Sequence, residues 1–150
     1  MRFMTTSCFG LVLWGVSLLT PAAPGKAASG TLTLGGKAIP LSHVVAYDAG
    51  AFKLVLITEQ DVPREKIKSE FNLMKYNFEA RPTGLVLWLD SANKLTRANT
   101  MLATTMVDVT SEIDLALEAT PAGRLSGTLK SKPAATKLKL DASFDVSTRP

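Results

Sequence analysis

Only one histidine, His43, occurs in this sequence of 150 residues, and it is the side chain best suited to acid–base chemistry near neutral pH. It lies in the stretch 41–48 (LSHVVAYD), where a strand would place His43 and Tyr47 on the same face. Three roles are open: a surface or structural histidine, a ligand contact together with Tyr47 and Asp48, or the base of a hydrolase. The first is the default expectation, and His43, Tyr47 and Asp48 are the candidate ligand-binding residues. We predict no catalytic residue.

Few side chains offer metal or cofactor chemistry. A single histidine excludes a multi-histidine metal site, and the one cysteine, Cys8, lies close to the N-terminus. No spacing of Asp and Glu resembles a calcium-binding loop. No glycine loop ahead of a helix matches a phosphate-binding motif. The sequence therefore predicts no metal, no cofactor and a non-enzymatic protein.

The first 28 residues have the order of charged, apolar and small residues that is typical of a secretory signal peptide. Arg2 precedes the apolar block 8–19 (CFGLVLWGVSLL), which a proline and several alanines follow. A block of about a dozen residues is shorter than the roughly 20 that a helix needs to cross a bilayer. We predict a leader cleaved after Ala23, Ala27 or Ala28, a periplasmic or secreted protein, and no stable membrane anchor after cleavage.

Loss of the leader would also change the composition. The whole sequence has a formal net charge of +4, and Arg2 and Lys26 would leave with the leader. Cys8 would leave as well, so we expect neither a disulfide nor a thiolate site. The formal net charge would then fall to +2, and such a small positive charge does not favour nucleic acid as a partner. The remaining residues, 29–150, number about 120, a length that suits one β-rich domain.

Most of this remaining sequence has strand patterns. Two apolar runs flank Gly35-Gly36, which predicts a hairpin because glycine adopts positive φ at both turn positions. The second run, 37–48, contains Pro40, whose missing N–H predicts an edge strand or a bulge. Further strands are predicted at 52–57, 84–90 and 99–109, the last with a helix at 101–106 as the alternative.

The last forty residues alternate apolar and polar side chains in three segments separated by turns. This pattern predicts a meander of antiparallel strands with one face on a core. The predicted fold class is mainly β, an antiparallel β-sandwich or small barrel of about 7–9 strands. Trp88 is expected in the core because its neighbours are apolar. The three segments of alternating apolar and polar residues are 113–118, 125–129 and 137–147.

One surface helix is predicted near 63–74. Proline is tolerated in the first turn of a helix, so Pro63 suits its start. Ile67, Phe71 and Met74 have the spacing i, i+4 and i+7, which predicts one apolar stripe packed on the core.

Three segments resemble a set of small exported bacterial β-rich proteins of uncharacterised function. They are 30–47 (GTLTLGGKAIPLSHVVAY), 123–129 (GRLSGTL) and 140–146 (LDASFDV), the first strands and the last two. The resemblance implies export and an all-β fold. It implies no catalytic residue.

Export without a recognisable catalytic motif favours an exported β-domain that acts as an interaction module with an unknown protein partner. The alternative is a small-ligand-binding β-barrel carrier, in which alternating strands enclose a cavity. The third hypothesis is the hydrolase with His43 as its base.

Overall fold

The computed structural model describes residues 27–148, which form ten β-strands, one α-helix and two short 3₁₀ turns. The predicted leader lies outside the described residues except for its last two positions, Ala27 and Ala28. The helix, α1, spans Glu70–Ala80. The strands are β1 (Ala28–Leu34), β2 (Lys37–Leu41), β3 (His43–Asp48), β4 (Phe52–Thr58), β5 (Gly84–Asp90), β6 (Leu95–Leu102), β7 (Thr105–Asp108), β8 (Ile113–Leu117), β9 (Arg124–Ser131) and β10 (Leu138–Ser147).

The strands form two antiparallel sheets of five strands each. Sheet A has the order β2-β1-β10-β9-β8, and sheet B has the order β3-β4-β5-β6-β7. Neither sheet closes on itself, so of the two predicted architectures the barrel is wrong and the mainly β, sandwich-like fold is confirmed. The meander of the last three strands is confirmed as β8-β9-β10.

The strand count exceeds the predicted seven to nine because two predicted strands are each divided. The chain leaves sheet A after Leu41 and enters sheet B at His43, so the run 37–48 forms both β2 and β3. Pro40 lies in β2, the edge of sheet A, as its missing N–H requires. The run 99–109 contributes to the hairpin of β6 and β7, in which Ala103 has a positive φ of 51°.

The main core lies between the sheets, where the apolar side chains of β10 and β9 face those of β4 and β5. Sheet B is also buried on its other face, where α1 and the preceding segment cover Leu54, Leu56, Val86 and Trp88. This second layer explains why β4 and β5 are apolar without alternation, since both faces of these strands are buried. The prediction that Trp88 belongs to the core is confirmed.

The prediction of one helix is confirmed, but its predicted bounds of 63–74 and its predicted orientation are wrong. Ser69 is the N-cap, and its hydroxyl oxygen accepts the N–H of Asn72 at 3.1 Å, so α1 begins at Glu70. Ile67 is buried but precedes the helix, so its spacing to Phe71 and Met74 does not define a helical stripe. No helix among residues 27–148 has the length and hydropathy needed to span a membrane.

Candidate interaction surfaces

His43, Tyr47 and Asp48 all lie on β3, an edge strand of sheet B, but His43 lies at the opposite end of the strand from Tyr47 and Asp48. His43 is in register with Thr58 at one end of the strand, and Asp48 is in register with Lys53 at the other. The five residue steps from His43 to Asp48 place their Cα atoms about 16 Å apart. A small ligand would therefore meet one end of β3 or the other, and a ligand-contacting role for these residues stays a prediction.

Asp48 has a local structural role in the turn between β3 and β4. One carboxylate oxygen accepts the N–H of Gly50 at 2.8 Å, and the other lies 3.9 Å from Nζ of Lys53. These contacts hold a tight turn between two antiparallel strands.

His43 has a charged neighbour that the sequence pattern did not reveal. Its Nδ1 lies 3.8 Å from Oδ1 of Asp61, with the two side chains 44% and 85% exposed. His43 is in register with Thr58, the last residue of β4, and Asp61 follows three residues later. The contact could therefore have been predicted only from the pairing of β3 with β4. An exposed pair at this distance contributes little to stability. Burial raises the pKa of the nearby Tyr76, and the negative charge of Asp61 raises it further.

The hydroxyl groups next to His43 already have acceptors. The Ser42 hydroxyl donates to the carbonyl of Glu59 at 3.2 Å, and the Thr58 hydroxyl donates to the carbonyl of Gln60 at 2.7 Å. Neither hydroxyl donates to the imidazole of His43, so these two residues do not form a nucleophile–base pair with it.

The outer face of α1 carries three large apolar side chains in water. Phe71, Met74 and Phe78 are 74%, 60% and 72% exposed. Their spacing of i, i+3 and i+7 places them on one helix face, which we call the α1 stripe. The opposite face packs on sheet B through Leu73, and Tyr76 is also buried there. Large exposed apolar side chains grouped on one face are uncommon on monomeric proteins and mark interaction sites.

Charged side chains flank the α1 stripe. Lys75 and Glu79 lie on the helix itself with 3.8 Å between Nζ and Oε1. Lys68 precedes the helix and Arg81 follows it, both exposed, and the structure records no ion pair for either within residues 27–148. Glu70, the exposed first residue of α1, also has no ion pair recorded in the described residues, so these two cations outnumber the one unpaired anion at the ends of the stripe.

A cleft of about 1290 Å³ opens between the sheets at one end of the molecule. We call it the β8 cleft, because β8 forms one wall, with loop residues of sheet B such as Asn93 and Lys94 on another. Its apolar side includes Leu115 and Leu117, both half-buried. This cleft thus borders β8, an edge strand of sheet A.

Within residues 27–148, no three His, Cys, Asp or Glu side chains are grouped so as to hold a metal ion. Comparison of the chain with protein-family models, curated proteins and solved structures finds no match.

Proposed function

We propose that this protein is an exported, non-enzymatic interaction module, and that it binds another protein through the α1 stripe. The observation that carries the proposal is the exposure of Phe71, Met74 and Phe78 on a helix whose opposite face is buried. Covering such side chains removes apolar surface from water, which contributes roughly 25 cal/mol for each Å² buried. A folded domain gains nothing from leaving them exposed, so a binding partner is their most direct explanation.

The charges around the stripe indicate the chemistry of the partner. Lys68 and Arg81 lie beyond the two ends of α1 without an ion pair recorded in the described residues. A partner with an apolar groove for the three side chains and acidic residues at its rim complements this surface. The neighbouring Lys75–Glu79 pair is internally neutral and adds no net charge.

A barrel-shaped ligand carrier has less support. Such a carrier needs strands closed around an internal cavity, and here both sheets are open. The space between the sheets is occupied by a packed core that includes Leu32, Leu87 and Leu129. The carrier alternative therefore lacks the enclosed site that it requires.

Photocrosslinking tests the protein partner directly. We would replace Phe71 or Phe78 with p-benzoylphenylalanine in the producing cells, and use the exposed Lys139 on sheet A as the matched control position. We expect positions 71 and 78, but not 139, to crosslink to the same polypeptide. The purified partner should bind the wild-type protein and lose at least tenfold in affinity for the variant with Phe71→Ser, Met74→Ser and Phe78→Ser.

Two results would contradict the proposal. Flotation of the protein with phosphatidylglycerol vesicles, abolished by the same triple variant and without any protein crosslink, would assign the α1 stripe to a lipid surface. Recovery of the chain only from the cytoplasm, with residues 1–26 still present by intact mass, would contradict export.

A further inference from the structure

In β8, the main-chain N–H and C=O groups of every second residue have no partner strand. The N–H of Lys132 donates to the carbonyl of Glu112 at 2.8 Å, and the N–H of Glu118 donates to the carbonyl of Ser126 at 2.9 Å. Bonded and non-bonded pairs alternate along an antiparallel ladder. Glu112, Asp114, Ala116 and Glu118 therefore pair with β9, whereas the N–H and C=O groups of Ile113, Leu115 and Leu117 point away from it.

Those outward groups lie at a free edge. Sheet A ends at β8, and no strand among residues 27–148 pairs with its other side. The edge has little of the usual protection, since Ile113–Leu117 (IDLAL) contains neither proline nor lysine. Its one charged residue, Asp114, is exposed and lies 3.9 Å from Nζ of Lys132. The other edges differ: β2 contains Pro40, β7 has four residues, and β3 lies against β10.

We propose that the β8 cleft binds an extended peptide segment of another protein, which adds to sheet A as a strand beside β8. Main-chain bonds to Leu115 and its neighbours Ile113 and Leu117 would supply affinity, as in other cases of strand addition. A free strand edge bordering a cleft of about 1290 Å³ provides both the hydrogen-bonding groups and the space. This site lies on sheet A, whereas the α1 stripe lies over the outer face of sheet B, so the two sites are independent.

The walls of the cleft define which peptide fits. Every second side chain of an added strand would face Leu115 and Leu117, which are half-buried, so apolar residues are expected at alternate positions. Lys94 is the one cation lining the cleft that has no ion pair in the described residues, since Lys53, Lys132 and Arg124 each pair with an aspartate. The exposed Glu118 is an anion of the same lining, also without an ion pair there. One acidic residue in the peptide is therefore expected to pair with Lys94.

Asn93 supplies a further unused group at the same place. It lines the cleft, and its side-chain oxygen is buried without a hydrogen-bond partner in the structure. A buried acceptor without a donor is costly, and rotation of the Asn93 side chain toward the cleft would let an N–H group of the peptide relieve that cost.

Peptide selection provides the test. The probe is a display library of random ten-residue peptides, selected against the purified protein, and the enriched peptides are then synthesised with each amide N-methylated in turn. Strand addition predicts that methylation weakens binding by about tenfold or more at every second residue and has little effect at the residues between them. A peptide bound through side chains alone would show no such period of two.

Variants of β8 locate the site. Leu115→Pro removes an outward N–H without removing a bond to β9, and we expect about tenfold weaker binding of the selected peptide. Ala116→Lys changes an exposed side chain whose backbone pairs with β9, and should leave affinity within about twofold. Lys94→Glu leaves the backbone untouched and should weaken an acidic peptide even if the proline variant unfolds.

The proposal is overturned if no peptide is enriched, if N-methylation shows no period of two, or if Lys94→Glu and a folded Leu115→Pro protein bind as wild type does. A concentration-dependent dimer lost in Leu115→Pro would assign the edge to a second copy of the chain. Amides of Leu115 and Leu117 already protected from hydrogen exchange without peptide would show an occupied edge. The triple serine variant of the α1 stripe should retain peptide binding, so failure here and failure of the proposed function are distinguishable.

Discussion

The carboxylate of Glu112 contacts both the main-chain N–H and the side-chain ammonium group of Lys137. Its Oε2 accepts the N–H of Lys137 at 2.8 Å and that of Thr136 at 3.1 Å, and its Oε1 lies 3.6 Å from Nζ of Lys137. Glu112 is a buried residue directly before β8, and the two donors belong to the connection between β9 and β10. This carboxylate therefore fixes the connection against the strand whose free edge borders the cleft.

Replacement of Glu112 should be costly. Glu112→Ala leaves two main-chain donors without their charged acceptor, and hydrogen bonds to charged groups contribute about 1.5–3 kcal/mol each. Thr136 and Lys137 are exposed, so water can partly replace the lost acceptor, and we expect a total of about 2–4 kcal/mol of destabilisation in urea unfolding. Glu112→Gln keeps one acceptor oxygen and should lose less. Equal losses for the two variants would contradict the assigned role of the carboxylate.

Gly84 is expected to tolerate no side chain. It has a φ of 156°, and a Cβ atom there would lie 2.1 Å from the carbonyl oxygen of Ile57 and 2.8 Å from Cα of Thr58, both backbone atoms. We expect Gly84→Ala to cost more than about 4 kcal/mol, measured by thermal or chemical denaturation. Gly36→Ala is the control, because its φ of 81° is also positive but nothing lies within 4 Å. That variant should cost only about 1–2 kcal/mol.

The two faces of α1 should respond oppositely to substitution. Leu73→Ala removes a fully buried side chain that packs on sheet B, and should cost about 2–5 kcal/mol. The triple serine variant at Phe71, Met74 and Phe78 removes side chains that are mostly in water, and should change stability by much less than Leu73→Ala does. Binding of a hydrophobic dye to the native protein should decrease in the triple variant. A large loss of stability in that variant would show that the stripe is part of the core.

The ion pair of Arg124 and Asp145 predicts a dependence of stability on pH. The guanidinium donates from Nε and Nη2 to the two carboxylate oxygens, and this hydrogen bonding lowers the pKa of Asp145, assisted by the positive charge of Arg124 and partly opposed by burial. A pKa lower in the folded than in the unfolded state stabilises the fold above the unfolded value of about 4. That stabilisation is lost as the pH falls through the lower, folded value.

Asp145→Asn should therefore lower the Tm at neutral pH, and its difference from wild type should vanish in acid. The pair is half-exposed, so the effect is small and falls with added salt. Asp141→Asn is the control, since the described residues contain no ion pair to that carboxylate. A Tm difference for Asp145→Asn that is independent of pH would contradict the linkage.

Much of the local structure was predictable because it depends on neighbouring residues. The hairpin at Gly35-Gly36 follows from positive φ at both glycines, 55° and 81°, and the edge position of β2 follows from Pro40. The candidate site was less predictable. His43 was identified by type, but its neighbour Asp61 lies 18 positions away in sequence and became visible only through the pairing of β3 with β4.

The sequence by itself determined which segments are strands, because alternation and apolar runs are local properties of the chain. The tertiary structure alone decided that the chain changes sheets at Ser42 and that Phe71 and Met74 face water while Leu73 faces sheet B. It also decided that β8 ends sheet A with a free edge. These features depend on which surfaces stay exposed after segments distant in sequence have packed together. The position of one N-cap or the pairing of one strand can exchange the buried and the exposed face of an element while the local hydrophobic pattern stays the same.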